Sequence, residues 1–253
     1  IFLDVLTSEK ISVGPPFYHK LIIPFLIPFL LIMAIGPKLK WIKSNLEDKV
    51  YLISLLFISF LLSFLIVKNF NSNFLINTIL ISSALYLFFV TLRDFFIMKK
   101  NNISQNIAHF GFSLLILSIL FNSLFSTEII TNLKVGETFE TSTTKIIFKN
   151  INQKKEKNYK SVVGNFSIQN SNGKIDNLSP ELRIYNQPNI VTSEADIKTT
   201  LLSDKFLVIN LVQNQDYFNV RYQVKPFMLW IWLSVLLISL GALISLFKKE
   251  YEK

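Results

Sequence analysis

The sequence predicts an α-helical polytopic membrane protein of about five transmembrane helices, with a small β-rich outer domain inserted before the last helix. Three observations predict it. Hydrophobic residues make up 51% of the 253 residues and Phe alone numbers 24, and several apolar runs reach the roughly 17 to 25 residues that a bilayer core demands. One long interruption, about residues 126–226, is polar and rich in strand-forming residues. Lys and Arg are concentrated in some of the short connections and nearly absent from another, as in membrane proteins of fixed orientation.

Each span can be placed in turn. The first, about Phe17 to Ile35, contains Pro24 and Pro28, which each remove a backbone donor and should kink the helix, and it stops at Gly36-Pro37. The second runs about Val50 to Val67, the third about Phe74 to Leu92, the fourth about Ile107 to Phe125 and the fifth about Phe227 to Phe247. The expected division is therefore residues 1–125 as a four-helix membrane portion, 126–226 as the outer domain, and 227–253 as the last span and its tail. The start, Ile1-Phe2-Leu3-Asp4, has neither an initiator Met nor the basic segment of a signal peptide. The chain is expected to be the C-terminal part of something longer, or a processed or truncated product.

Orientation follows from the short connections. Lys38, Lys40, Lys43 and Lys49 follow the first span, Arg93, Lys99 and Lys100 follow the third, and Lys248, Lys249 and Lys253 form the tail, against only Lys68 between the second and third. The positive-inside rule puts the ten on the cytoplasmic side and the outer domain in the periplasm, or in the intermembrane space of a mitochondrion. The expected location is thus the bacterial inner membrane, with the mitochondrial inner membrane as the alternative. The net charge of +9 is split between anchoring and a soluble surface and needs no nucleic-acid partner.

In the outer domain, Lys145 to Lys149, Ser161 to Gln169, Phe206 to Val212 and Phe218 to Val224 read as strands, and Asn172-Gly173 is a hairpin signal between two of them. Phe218, Val220, Tyr222 and Val224 alternate with polar neighbours, as one buried face requires. About a hundred residues suffice for a small sandwich or partial barrel. No nucleophile-base pair, paired carboxylates or metal-spaced cluster stands out in it.

Few residues in the spans can carry chemistry. The chain has no Cys, so it supplies no disulfide, thiolate ligand or thiol relay, and a redox partner must bring its own thiols. No expected span has Asp, Glu, Lys or Arg in its interior, which disfavours coupled transport. Ser54, Ser59, Ser63, Asn77, Ser82, Ser118 and Asn122 read as helix-packing residues. Trp41, Trp230 and Trp232 read as interfacial belt residues, the last two only weakly as a haem-edge surface.

His109, just inside the fourth span, stands out, because lipid offers an ionisable side chain no partner. Gln105, Asn106, His109 and Ser113 share one helix face and should point into the bundle. Two readings follow: an imidazole presented to a haem iron or another buried cofactor, or an interfacial histidine bonded to a neighbouring helix or to headgroups. His19 lies at the opposite membrane face, about 25 to 30 Å away, so one iron cannot take both, and beside Tyr18 and Lys20 it reads as an anchor.

Ser12-Val13-Gly14-Pro15-Pro16 ahead of a span ending Ile35-Gly36-Pro37, then Ala108-His109-Phe110-Gly111 opening a later span, resemble the C-terminal half of the CcmF/NrfE/CycK family of cytochrome c maturation haem lyase subunits. Pro180-Glu181-Leu182-Arg183-Ile184-Tyr185 in the outer domain, and Lys225-Pro226-Phe227 leading to Trp230-Ile231-Trp232, continue the resemblance in the same order. It implies a protein that takes haem as substrate from a CcmE-like carrier and helps attach it to the Cys-x-x-Cys-His thiols of apocytochrome c, alongside CcmH/CcmI-like subunits. It also implies a separate haem b in the membrane, with His109 as one axial ligand to its iron.

The departures carry weight too. The family's tryptophan-rich haem-presenting segment, its outward histidines and its second haem b ligand belong to the N-terminal half, which has no counterpart here. Phe17-Tyr18-His19 differs from the family's Tyr-Phe-Asn, so the resemblance gives His19 no role. What it implies is a subunit or C-terminal fragment of a haem lyase, incomplete as an enzyme, with no catalytic residue of its own and with the N-terminal half of CcmF as a partner. The rival reading is a non-enzymatic membrane scaffold whose outer domain docks partners.

Overall fold

The computed structural model describes residues 15–39, 49–70, 73–97, 103–171, 173–212 and 216–248, with the backbone alone for 15–20 and 248. Among these residues five helices are long and apolar enough to cross a membrane. They are α1 (Pro15–Ile35), α2 (Lys49–Val67), α3 (Phe74–Phe96), α4 (Ile103–Phe125) and α5 (Met228–Lys248). Trp41, Asn172, Lys40, Lys43, Lys99, Lys100, Lys249, Lys253 and the Ser12-Val13-Gly14 part of the first motif lie outside the described residues.

The chain divides into two compact units, one of residues 1–120 with 233–253 and one of residues 121–232. In the first, α3 is the central helix. It packs against both α1 and α2, and 61% of its apolar window is buried. The Ser63 hydroxyl donates across to the Thr78 carbonyl at 2.6 Å, tying α2 to α3, and the Thr91 and Ser113 hydroxyls share a hydrogen bond of 2.7 Å between α3 and α4. Small hydroxyls supply such bonds without forcing helices apart. α1 runs through Pro24 and Pro28 and ends in a 3-10 turn, Gly36–Lys38.

Two helices run further than hydropathy alone marks. α3 continues past Leu92 to Phe96, because its terminal charges are satisfied where they fall: Asp94 takes Lys38 at 2.8 Å, and the Arg93 guanidinium sits 4.1 Å over the Tyr51 ring. α4 begins at Ile103, four residues before the apolar run, so Ser104, Gln105 and Asn106 form its first turn.

α4 and α5 approach through small residues. A Cβ on Gly241 would lie 2.8 Å from the Ala108 Cβ and N and from the Ser104 O, and one on Gly111 would lie 3.0 Å from the Ile238 N. Ala108, Gly111 and Gly241 therefore let the two backbones nearly touch, as small residues do in membrane bundles.

The second unit holds a two-sheet sandwich. One sheet has the order β1 (Thr127–Leu133), β10 (Phe218–Pro226), β9 (Ser203–Leu211), β8 (Asp196–Thr199). The other runs β2 (Thr138–Glu140), β3 (Thr144–Lys155), β4 (Tyr159–Asn170), β6 (Glu181–Tyr185), β7 (Val191–Glu194), with β5 (Ile175–Leu178) also paired to β4. All pairings are antiparallel.

The core between the sheets contains Ile146, Phe148, Phe166, Ile168, Leu207, Ile209, Val220 and Tyr222, with Phe218 and Val224 packed against it. Phe148 and Phe166 stack at 4.2 Å. The turn that Asn172-Gly173 marks follows β4, and Gly173 takes a positive φ of 73° there. Its partner strand is β5, a short strand that composition does not reveal.

Candidate functional site

His109 falls in the second turn of α4, and the close contact of Ala108 and Gly111 with α5 sets which way α4 faces. One residue is about 100° of helix rotation, so a helix that turns Ala108 toward α5 turns His109 away from it. The imidazole then faces a narrow cleft lined by Met33 and Ala34 from the end of α1, Pro37 from the 3-10 turn that follows it, Thr91 and Asp94 from α3, and Gln105 and Asn106 from α4. It is partly buried. Among the described residues nothing hydrogen-bonds to it.

Three polar neighbours of His109 are engaged elsewhere. Asn106 donates its side-chain amide to the Asp94 carbonyl at 2.9 Å. Ser113 is buried and shares its hydrogen bond with Thr91. The Asp94 carboxylate receives the Lys38 ammonium at 2.8 and 3.0 Å. Of the polar stripe, Asn106 and Ser113 thus hold α4 against α3, Gln105 is exposed at the rim, and His109 alone keeps its ring nitrogens available.

Asp94 is the residue that hydropathy hides. It lies beyond the apolar run and becomes part of the site only because α3 continues one further turn. A charged residue one turn past a span and fifteen residues before a histidine is a weak sequence signal.

His19 does not share this site. Its backbone is in the first turns of α1, fourteen residues before Met33, so at ~1.5 Å per residue it lies roughly 20 Å along the helix from the His109 cleft. No group of three or more His, Cys, Asp or Glu able to hold a metal ion occurs among the described residues.

The Pro180 to Tyr185 motif forms β6 and the residue before it. Arg183 pairs with Glu181 and sits 5.1 Å over the Tyr159 ring, while Tyr159 and Tyr185 meet at 5.4 Å. Hydrogen bonding of the Arg183 guanidinium, which donates to the Glu181 carboxylate, and then its interaction with Tyr185 raise the Arg183 pKa above its ordinary value. The motif is a structural clamp between neighbouring strands β4 and β6.

Similarity to known proteins bears on this arrangement. The family described as the CcmF C-terminal beta-sandwich matches residues 124–226. The cytochrome c-type biogenesis protein CcmF of Escherichia coli is 25% identical over 253 residues, covering 96% of this chain and 39% of that protein. That of Pseudomonas fluorescens is 24% identical, covering 100% and 40%. The chain belongs to the CcmF/NrfE/CycK family. It corresponds to the C-terminal portion of that family, and it spans about 40% of the length of these curated relatives. NrfE of Haemophilus influenzae is 23% identical over 96% of the chain. The fold agrees with a solved structure titled Cytochrome c Heme Lyase CcmF, at a TM-score of 0.71 and 20% identity, covering 95% of this chain and 41% of that one.

Within the CcmF/NrfE/CycK frame, the residues can be tested against a haem. An imidazole with no hydrogen-bond partner among the described residues, beside the apolar side chains of Met33 and Ala34, is a donor that could hold a haem iron.

Proposed function

We propose that this chain is the C-terminal part of a cytochrome c maturation haem lyase, in which His109 is one axial ligand of a membrane haem b. The observation that carries the reading is the His109 ring, available on its cleft while Asn106, Ser113 and Asp94 are paired elsewhere, in a family member whose relatives are named for cytochrome c biogenesis. A haem b held there supplies one-electron chemistry when bound. The chain's own residues orient the imidazole: Ala108 and Gly111 set the rotation of α4, and the Thr91–Ser113 bond and the Asn106–Asp94 bond hold its height against α3.

The rest of the reading concerns the whole assembly. The other axial ligand, and the surface that presents substrate haem, come from the N-terminal half of the family. A CcmE-like carrier delivers the haem, and the thiols belong to apocytochrome c and its CcmH/CcmI-like handlers, since this chain has no Cys. The protein works in the inner membrane with its sandwich on the outer side.

The test is spectroscopic. In a complex assembled with the N-terminal half, His109→Ala should remove or strongly weaken the haem b absorption, and His19→Ala should leave it intact. An unchanged spectrum in the His109 variant would overturn the ligand role and leave a scaffold.

A further inference from the structure

The tip of the β8–β9 hairpin departs from ordinary turn chemistry. Its four residues are Thr200-Leu201-Leu202-Ser203, closed by the Thr200 amide on the Ser203 carbonyl at 3.0 Å and by the Thr200 hydroxyl on the same carbonyl at 2.7 Å. Turn tips in water are dominated by Gly, Asn, Asp and Ser. Here two leucines occupy the centre, 71% and 67% exposed.

The tip is fixed in place by the start of α5. The Trp230 indole N–H donates to the Leu201 carbonyl at 2.9 Å, and the Phe227 amide donates to the Leu202 carbonyl at 2.9 Å. Phe227 takes a positive φ of 61°, rare for a bulky residue, and its ring packs on Phe121 at 5.4 Å. The two hydrogen bonds keep the hairpin tip level with the first turn of a helix long and apolar enough to cross a membrane.

Trp232, 64% exposed, follows one residue pair later. Tryptophans at the end of a spanning helix sit at headgroup depth. Two hydrogen bonds hold this pair of exposed leucines at the same level.

We propose that Leu201 and Leu202 form a membrane-interface anchor, inserting into the outer boundary of the bilayer beside Trp230 and Trp232 and fixing the sandwich against the lipid surface. The occupant is the headgroup and upper acyl region of the bilayer, and the anchor is independent of any haem chemistry.

The absence of Cys makes the test direct. Leu202→Cys, and separately Leu201→Cys, are labelled with an environment-sensitive fluorophore in the full chain, reconstituted in vesicles of phosphatidylcholine and phosphatidylglycerol. Lys157→Cys, in the exposed β3–β4 turn, is the aqueous reference. A lipid carrying a nitroxide near the headgroup end of its acyl chain should quench the tip labels at least about twofold more than the reference, and aqueous iodide should quench them less. Iodide quenching equal to that at Lys157 would overturn the proposal. So would a label shielded from both quenchers, since that pattern means a protein surface covers the tip.

Discussion

Asp176 is a fully buried carboxylate between two lysines from the opposite sheet. Its Oδ1 lies 2.7 Å from the Lys198 ammonium, and its Oδ2 pairs with Lys205. Burial by itself would raise the carboxyl, but the hydrogen bonds and charges of Lys198 and Lys205 outweigh it and hold the Asp176 pKa below its ordinary value. A depressed carboxylate contributes stability that is present above the unfolded pKa and is lost as pH falls through the folded one. The sandwich should therefore lose this contribution as pH drops below about 4. Asp176→Ala should cost roughly 3 kcal/mol, because it leaves Lys205, only 12% exposed, without its counter-ion. Lys198→Met, at a position 40% exposed, should cost under about 1 kcal/mol. Near-UV circular dichroism melts at neutral and acidic pH measure both, and equal losses for the two variants would contradict the account.

At this scale the sequence is readable where a residue contradicts its surroundings. His109 stands out because an imidazole interrupts an apolar run. Asp176 gives no such signal, being one of several carboxylates in a polar stretch, and its partners are 22 and 29 positions away. Asp94 is hidden for a related reason: its counter-ion, Lys38, lies 56 residues earlier, and long-range pairing leaves no local pattern.

Elements show a sharper contrast. The five helices follow from hydropathy because each must satisfy its own backbone and present apolar residues for a full bilayer thickness. The four strands marked by composition, near β3, β4, β9 and β10, are the long central ones whose faces fill the core. β1, β2, β5, β6, β7 and β8 are short or lie at edges, where polar residues face water on at least one side and alternation fades. The α4–α5 crossing is also invisible to hydropathy, since Gly111 and Gly241 look like isolated glycines until their neighbours are known. They test how the His109 face is aimed. Gly241→Val would drive a side chain into the Ala108 and Ser104 backbone at 2.8 Å, which has no rotamer to yield, so α4 must shift. The expected cost is about 1–3 kcal/mol in thermal unfolding of the detergent-solubilised chain. An unaltered melting curve for this variant would mean that the crossing is looser than the geometry demands.

For the whole molecule, orientation is the property that the fold leaves open and charge decides. The membrane helices are symmetric in apolarity, so nothing in their packing distinguishes the two leaflets. Lys and Arg in short loops and at the helix ends beside them do: ten lie in or flanking two connections and the tail, and one, Lys68, lies in the connection between α2 and α3. Each charge retained on the cytoplasmic side avoids translocation against the membrane potential, and the effect accumulates over short loops while long domains escape it. The sandwich follows the end of α4 and precedes α5, so its side is set by those two helices and not by its own basic surface. Single cysteines at Asn101, in the basic connection, and at Lys157, in the sandwich, should therefore label from opposite sides of sealed membrane vesicles holding the chain. Labelling of both from one side would require an even number of crossings between residues 101 and 157, and α4 could not then span.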